Sequence, residues 1–298
     1  MNIVVLGPGA VGLLWATKLH AAGHRVSLWG RQPQSSLSIA LDKQASITLP
    51  YNDHSALCHA DLLLITVKAW QVEQALTPQL KTLNRDTILL FMHNGMGALD
   101  SMQDQLNDFP IVLSTTTHGA LKPSMNQVLH TGKGVTQLGA YNAQGKQCQF
   151  LVDVLQHTLP DVMWNNTIEE ALWHKLAINC AINPLTALEQ CRNGELADER
   201  FQRPLENIVA EVADVMSAEG FAITQSSLLA KVKLVIQATA ENYSSMHQDI
   251  FYQRKTEIDF ITGYLLKKAE QHQLATPENH KLYLAIKHQE QSWVSNHV

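Results

Sequence analysis

The 298-residue chain is long enough for two domains, and its net charge of −5 with a pI near 6.3 argues against a nucleic-acid-binding protein, which would carry a basic patch. Its four cysteines, Cys58, Cys148, Cys180 and Cys191, form no CxxC pair and no zinc-ligand spacing, so they read as reduced thiols of a cytoplasmic protein. Its fourteen histidines include no HExxH order, no apolar run reaches the roughly 20 residues that span a bilayer, and no cleavable basic leader is evident; a metal site, a membrane span and secretion are not expected.

Residues 2–6 form a short, mostly branched apolar run, as in a strand buried on both faces. The loop Gly7-Pro8-Gly9-Ala10-Val11-Gly12 follows at once in GxGxxG spacing, and residues 13–19 then read as a helix. In such a unit Gly7 allows the tight turn, Gly9 lets a pyrophosphate approach the backbone, and Gly12 lets helix and strand pack closely. Amide groups at the helix start, with the positive end of its dipole, suit the diphosphate. A second strand is expected at residues 25–29. NAD-binding units usually end that strand on an acidic residue for the ribose 2′-hydroxyl, whereas here Gly30 and Arg31 stand there. A guanidinium suits a 2′-phosphate, so the pattern points to NADP.

Further along, residues 32–38 read as a loop, 46–49 as a short strand and 61–67 as a central parallel strand ending at Lys68. Lys68 either reaches the nucleotide or simply opens the following helix. Residues 87–92 are the next strand, which places Asn94 and the glycines Gly95 and Gly97 at another carboxyl end, where ligands gather in open α/β sheets. A strand at 111–115, two short strands about a glycine turn at 127–139 and a closing helix at 150–159 complete an N-terminal domain, 1–165.

Helical patterns take over beyond it, at 168–182, 204–219, 226–239 and 256–272, giving an all-helical second domain, 166–298. The first of these helices is apolar almost all round. Its polar stripe, Lys175, Asn179 and Asn183, recurs every four residues and therefore lies on one face. Such groups on a buried helix are costly unless paired or facing a polar cavity. The plainer alternative has Lys175 snorkelling to solvent and Asn183 ending the helix before Pro184. ENYSSMHQDI supplies Asn242, Ser244 and Ser245, and KTEIDFITGYLL supplies Glu257 and Asp259, between which composition does not choose.

Together GPGAVG, VKAWQ, HNGMG, TTTHGA, WHKLAINCAINPLTA, CRNGEL, ENYSSMHQDI and RKTEIDFITGYL resemble the 2-dehydropantoate 2-reductase (ketopantoate reductase) family over nearly the whole chain. The resemblance implies an N-terminal Rossmann domain binding NADPH and a C-terminal helical domain like that of 6-phosphogluconate dehydrogenases. It implies reduction of ketopantoate to (R)-pantoate on the pantothenate and coenzyme A route. It puts the catalytic lysine at Lys175 and the essential glutamate at Glu257. Substrate-binding residues fall on Asn94, Asn179, Asn183, Asn193, Asn242 and Ser245. Cofactor contacts fall on the Gly7–Gly12 loop, Arg31, Lys68, Asn94, Ala120 and, again, Glu257. A small-molecule substrate is the implied partner, and a monomer and a homodimer are both compatible with the motifs. The rival readings are a reductase of the same architecture for another 2-oxo acid or an imino acid, and a non-catalytic NADPH sensor that kept the fold.

Overall fold

In the computed structural model, which describes residues 1–295, the apolar runs of the first half become the middle strands of a seven-stranded sheet. The strands are β1 (Asn2–Leu6), β2 (Arg25–Trp29), β3 (Ser36–Leu41), β4 (Ile47–Pro50), β5 (Leu62–Ile65) and β6 (Ile88–Phe91). They continue with β7 (Ile111–Thr116), β8 (Gly119–Ser124), β9 (Gln127–Gly132), β10 (Thr136–Ala140) and β11 (Val162–Trp164). The large sheet has the order β11-β10-β7-β6-β5-β1-β2, parallel throughout except for the β10–β7 pair. Every residue of β5 and β6 is buried, which is why each reads as an unbroken apolar run rather than an alternating one. Because β1, β2 and β5 are parallel, the segments Gly7–Gly12, Gly30–Arg31 and Thr66–Lys68 all leave the sheet at the same edge.

A second sheet, β4-β3-β9-β8, revises the reading of three segments. Residues 127–139 are not a hairpin: β9 pairs with β3 and β8, whereas β10 joins the large sheet beside β7. Between them Gly134 serves close approach of two backbones, since a Cβ there would lie 2.4 Å from the Thr117 carbonyl carbon. The supposed loop at 32–38 already enters β3 at Ser36, and TTTHGA runs on into β8. Burial decides these cases: Ile39, Leu41 and Val128 join the same core as Leu13, Leu14 and Trp15.

The helices of this unit are α1 (Ala10–Ala21), α2 (His54–Cys58), α3 (Val72–Leu76), α4 (Gln103–Leu106) and α5 (Leu151–Thr158). Helix α1 packs against β2 of the large sheet and against β3, β8 and β9 of the small one. An amphipathic stripe would not serve a helix between two sheets, and seven of the twelve residues of α1 are buried.

Met1–His93 and Ala98–Ala171 form this α/β unit, with Rossmann-type parallel strands; Asn94–Gly97 and the chain from Leu172 onward form a separate helical unit. The later helices are α6 (Ile168–Glu189), α7 (Glu199–Ala218), α8 (Gln225–Ala238), α9 (Ser245–Phe251), α10 (Thr262–Gln271) and α11 (Pro277–Ser295). Among the described residues no helix is long and apolar enough to cross a membrane.

Two expectations for this half change. Helix α6 does not stop before Pro184 but continues to Glu189. An interior proline costs about 3 kcal/mol, and the complete burial of Thr186 and Ala187 with near-complete burial of Leu185 offsets it. The helix expected over 256–272 is instead a single 3₁₀ turn, Ile258–Phe260, followed by α10. Ile258 and Ile261 are both buried, and the non-helical backbone at Ile261 (φ −105°, ψ −90°) separates the two pieces.

Candidate active site

The catalytic candidates start from the stripe on α6. Trp173, Leu176, Ala177 and Cys180 of the same helix are buried. Asn183 is buried, whereas Lys175 and Asn179 keep partial exposure. Removal of solvent around Lys175 nevertheless pushes its ammonium down from the usual lysine value to about 8, and the charge of Glu257 opposes that fall. The lysine therefore feels the charge of an anion and releases its proton more readily than a free lysine.

Glu257 immediately precedes the 3₁₀ turn rather than lying in a first helical turn, and it is buried. Its Oε2 accepts a hydrogen bond from Asn94 Nδ2 at 3.2 Å. The main chain fixes this meeting. Met96 N–H donates to the Phe260 carbonyl at 2.8 Å, and Gly95 (φ +79°) passes so close that a Cβ would lie 2.4 Å from the same oxygen. Asp259, the other candidate acid, is committed elsewhere. It accepts from Tyr283 Oη at 2.9 Å and from Lys287 Nζ at 3.0 Å on α11.

Ser245 is the first residue of α9 and is exposed, as is Asn242. Ser244 caps α9 by accepting from His247 N–H at 3.0 Å, and its hydroxyl lies 2.7 Å from that of Thr186 on α6. The start of α9 is thus pinned to the helix that carries Lys175. Asn193 is turned inward. Its main-chain N–H donates to the Asn242 carbonyl at 2.9 Å, its Nδ2 donates to Thr239 Oγ1 at 2.9 Å, and Gly194 N–H donates to the Ala240 carbonyl at 3.1 Å. These bonds join residues 193–194 to the loop bearing Asn242. Among the described residues the buried Oδ1 of Asn193 meets no donor.

In the α/β unit the glycine loop has the room a dinucleotide phosphate needs. Gly7 adopts φ +102°, with Val67 Cγ1 only 2.6 Å from where its Cβ would stand. Gly12 packs so tightly that a Cβ would lie 2.2 Å from the Gly7 carbonyl oxygen and 2.4 Å from Thr66 Oγ1. Around Gly9, by contrast, nothing lies within 4 Å of a Cβ position. Helix α1 starts at this open point with no side-chain cap and no acidic residue in its first turn. Its first N–H groups lack intrahelical partners, which suits an anion. These residues fit the pyrophosphate of a dinucleotide.

The other cofactor candidates lie in the same unit. Lys68, at the end of the chain segment leaving β5, opens a 3₁₀ turn over Ala69–Gln71. Ala120 is half-buried on β8, and Arg31 is exposed just past β2. At Gly30 a Cβ would lie 2.2 Å from the Tyr51 hydroxyl and 2.9 Å from Pro8 Cδ. A side chain at the position beside Arg31, a carboxylate included, would have to displace Tyr51 or Pro8.

A family model described as "Ketopantoate reductase PanE/ApbA" matches residues 3–143, and its C-terminal counterpart matches residues 167–290. A 2-dehydropantoate 2-reductase of Vibrio cholerae is 58% identical over 293 residues, covering 98% of this chain and 99% of the relative. The chain belongs to the ketopantoate reductase family. An Escherichia coli O157:H7 relative of the same name is 43% identical over 98% of this chain and 96% of its own length. Among solved structures, a D-mandelate dehydrogenase with NADH and anilino(oxo)acetate superposes with a TM-score of 0.89, at 24% identity over 98% of this chain and 99% of its own. A PanE/ApbA family ketopantoate reductase from Ralstonia eutropha JMP134 gives 0.86, also at 24% identity and with the same coverage. At that identity the two structures establish the fold.

In this ketopantoate reductase family member, several supporting residues escape a sequence reading. Thr186 and Ser244 hold α9 to α6, and Tyr51 occupies the space beside Gly30. Lys122, half-buried on β8, donates from Nζ to the Pro8 carbonyl at 2.9 Å and so props the glycine loop, while burial lowers its proton affinity. The signal that marks Ser244 as a cap is the Ser-Ser pair, but it points to one only where a helix is expected to follow, and none is expected at 245–251. Lys122 was not legible either, because the strand that carries it was unexpected.

Proposed function

We propose that this protein reduces 2-dehydropantoate to (R)-pantoate with NADPH, on the route to pantothenate and coenzyme A in the cytoplasm. Residues 1–165 supply the cofactor contacts other than Glu257, and residues 166–298 carry the catalytic pair and the substrate-binding groups other than Asn94. The observation that carries the reading is the Asn94–Glu257 hydrogen bond, with the charge of the same carboxylate acting on the Lys175 ammonium. A pure binding protein needs no proton donor tuned to near neutrality.

The reduction draws its hydride from bound NADPH, delivered to the C2 ketone. Lys175 bonds the ketone oxygen and gives its proton to the alkoxide as charge develops there. An ammonium that releases its proton near pH 8 is well matched to that task. Glu257 keeps Lys175 charged and, with Asn94, orients the substrate hydroxyl; both residues also contact the cofactor. Ser245 takes the substrate carboxylate. Asn179, Asn183, Asn193 and Asn242 fix which face of the ketone is presented. The Gly7–Gly12 loop, including Pro8, Ala10 and Val11, holds the diphosphate with Lys68 and Ala120 beside the nucleotide, and Arg31 holds the 2′-phosphate.

The substrate assignment is tested by comparing turnover of ketopantoate with that of 2-oxoisovalerate, which lacks the terminal hydroxyl. A site built to hydrogen-bond that hydroxyl favours ketopantoate strongly in kcat/KM. Equal turnover of the two would point to a reductase of a different 2-oxo acid.

A further inference from the structure

We infer that Asn52 is a positioning residue for cofactor selection, because its side-chain amide bonds the main-chain groups on both sides of Arg31 and so fixes where the guanidinium is presented. The inference rests on the assignment of Arg31 to the cofactor 2′-phosphate made above.

Arg31 is exposed and lies between β2 and β3, outside regular structure. A segment of that kind would ordinarily let its Cα wander, and a forked contact to phosphate requires both direction and distance. Asn52 removes that freedom. Its Oδ1 accepts from Gly30 N–H at 3.0 Å, and its Nδ2 donates to the Gln32 carbonyl at 2.9 Å. One planar amide thereby spans the residue between them. Asn52 is itself anchored, since its main-chain N–H donates to the Leu28 carbonyl at 2.9 Å. Its φ of +54° lies in the left-handed region, which asparagine tolerates better than most residues.

The neighbours of Asn52 extend the frame. Tyr51 N–H donates to the Ser35 carbonyl at 2.8 Å, closing the far end of the same loop. The Tyr51 hydroxyl stands beside Gly30 and within the field of Arg31. Buried Tyr51 therefore acts as the wall and Asn52 as the clasp. Both side-chain hydrogen bonds of the clasp go to the loop that carries the arginine, so its loss should affect 2′-phosphate recognition and spare recognition of the adenosine itself.

The test is an Asn52→Gly variant of the full-length protein, since glycine accepts the positive φ while removing the amide. Calorimetric affinities are measured for adenosine 2′,5′-bisphosphate and for 5′-AMP, with thermal stability recorded alongside. The expected result is a loss of about tenfold for the bisphosphate, the order of one well-made hydrogen bond, with less than about a twofold change for 5′-AMP. In an Arg31→Ala background the same substitution should leave the ratio of the two affinities unchanged. Equal losses for both nucleotides, no loss for either, or an undiminished effect without Arg31 would overturn the inference. If Arg31→Ala alone leaves the ratio unaltered, the assignment of Arg31 fails and the inference falls with it. If Arg31→Ala lowers the ratio and Asn52→Gly does not, only the role of Asn52 is lost.

Discussion

Asn94 and Glu257 stand 163 residues apart in the chain, yet the amide of the first donates to the carboxylate of the second at 3.2 Å. The bond depends on Gly95, because any Cβ there would strike the Phe260 carbonyl. It also explains why a buried glutamate is tolerated: the acid has a hydrogen-bond donor and the nearby charge of Lys175.

If Lys175 is the proton donor, Lys175→Ala should lower turnover of ketopantoate by about 10²–10⁴-fold or more. Binding of NADPH, followed by quenching of protein fluorescence, should change little. Undiminished turnover would remove the lysine from the mechanism.

The pH dependence has a definite sign. Lys175 is protonated below about pH 8, so kcat/KM should fall as pH rises through that value. Glu257 raises the proton affinity of Lys175, so in Glu257→Gln the alkaline limb should move to lower pH. Stability runs the other way. The unfolded lysine holds its proton up to its ordinary value and the folded one only to about 8, so the unfolded state binds more protons between the two. The burial penalty is present below pH 8 and is relieved as pH rises through that window. Melting temperatures of the wild type and Lys175→Met, compared across the window, should converge with rising pH or cross in favour of the wild type.

Ser244→Ala should cost about 1–2 kcal/mol of stability, since it removes a helix cap together with the contact to Thr186. Ser245→Ala, which alters an exposed side chain, should leave stability within about 0.5 kcal/mol and instead raise KM for ketopantoate. Denaturant melts and steady-state kinetics on the pair separate the two roles. A loss within about 0.5 kcal/mol for Ser244→Ala as well would show that Ser244 does not hold the start of α9.

Installing an acid beside Arg31 should not by itself give an NADH enzyme. Gly30→Asp places its Cβ against the Tyr51 hydroxyl and Pro8, an overpacking that should cost about 1–3 kcal/mol. Tyr51→Phe removes the first of these clashes and should recover part of the loss in melting temperature. No destabilisation of Gly30→Asp would show that the loop yields freely.

What the sequence made legible follows from how local each signal is. The strand, glycine loop and helix of residues 2–21 are consecutive, so pattern alone places them. The stripe Lys175, Asn179 and Asn183 follows from helical period. Long-range partners were not legible: neither β3 with β9 nor Asn52 with Gly30 and Gln32 leaves a mark at any one position. Glu257 and Asp259 were indistinguishable by composition. Their environments separate them, one meeting Asn94 and the other Lys287 and Tyr283. Helix α6 outran its expected end because the burial of Thr186 and Ala187 is a tertiary effect that no local rule for proline contains.

The most direct measurement is oxidation of NADPH and, in parallel, NADH by the purified protein on addition of ketopantoate. The account predicts rapid ketopantoate-dependent oxidation of NADPH, stoichiometric formation of pantoate and much slower oxidation of NADH. Tight binding of NADPH without turnover of ketopantoate would contradict it.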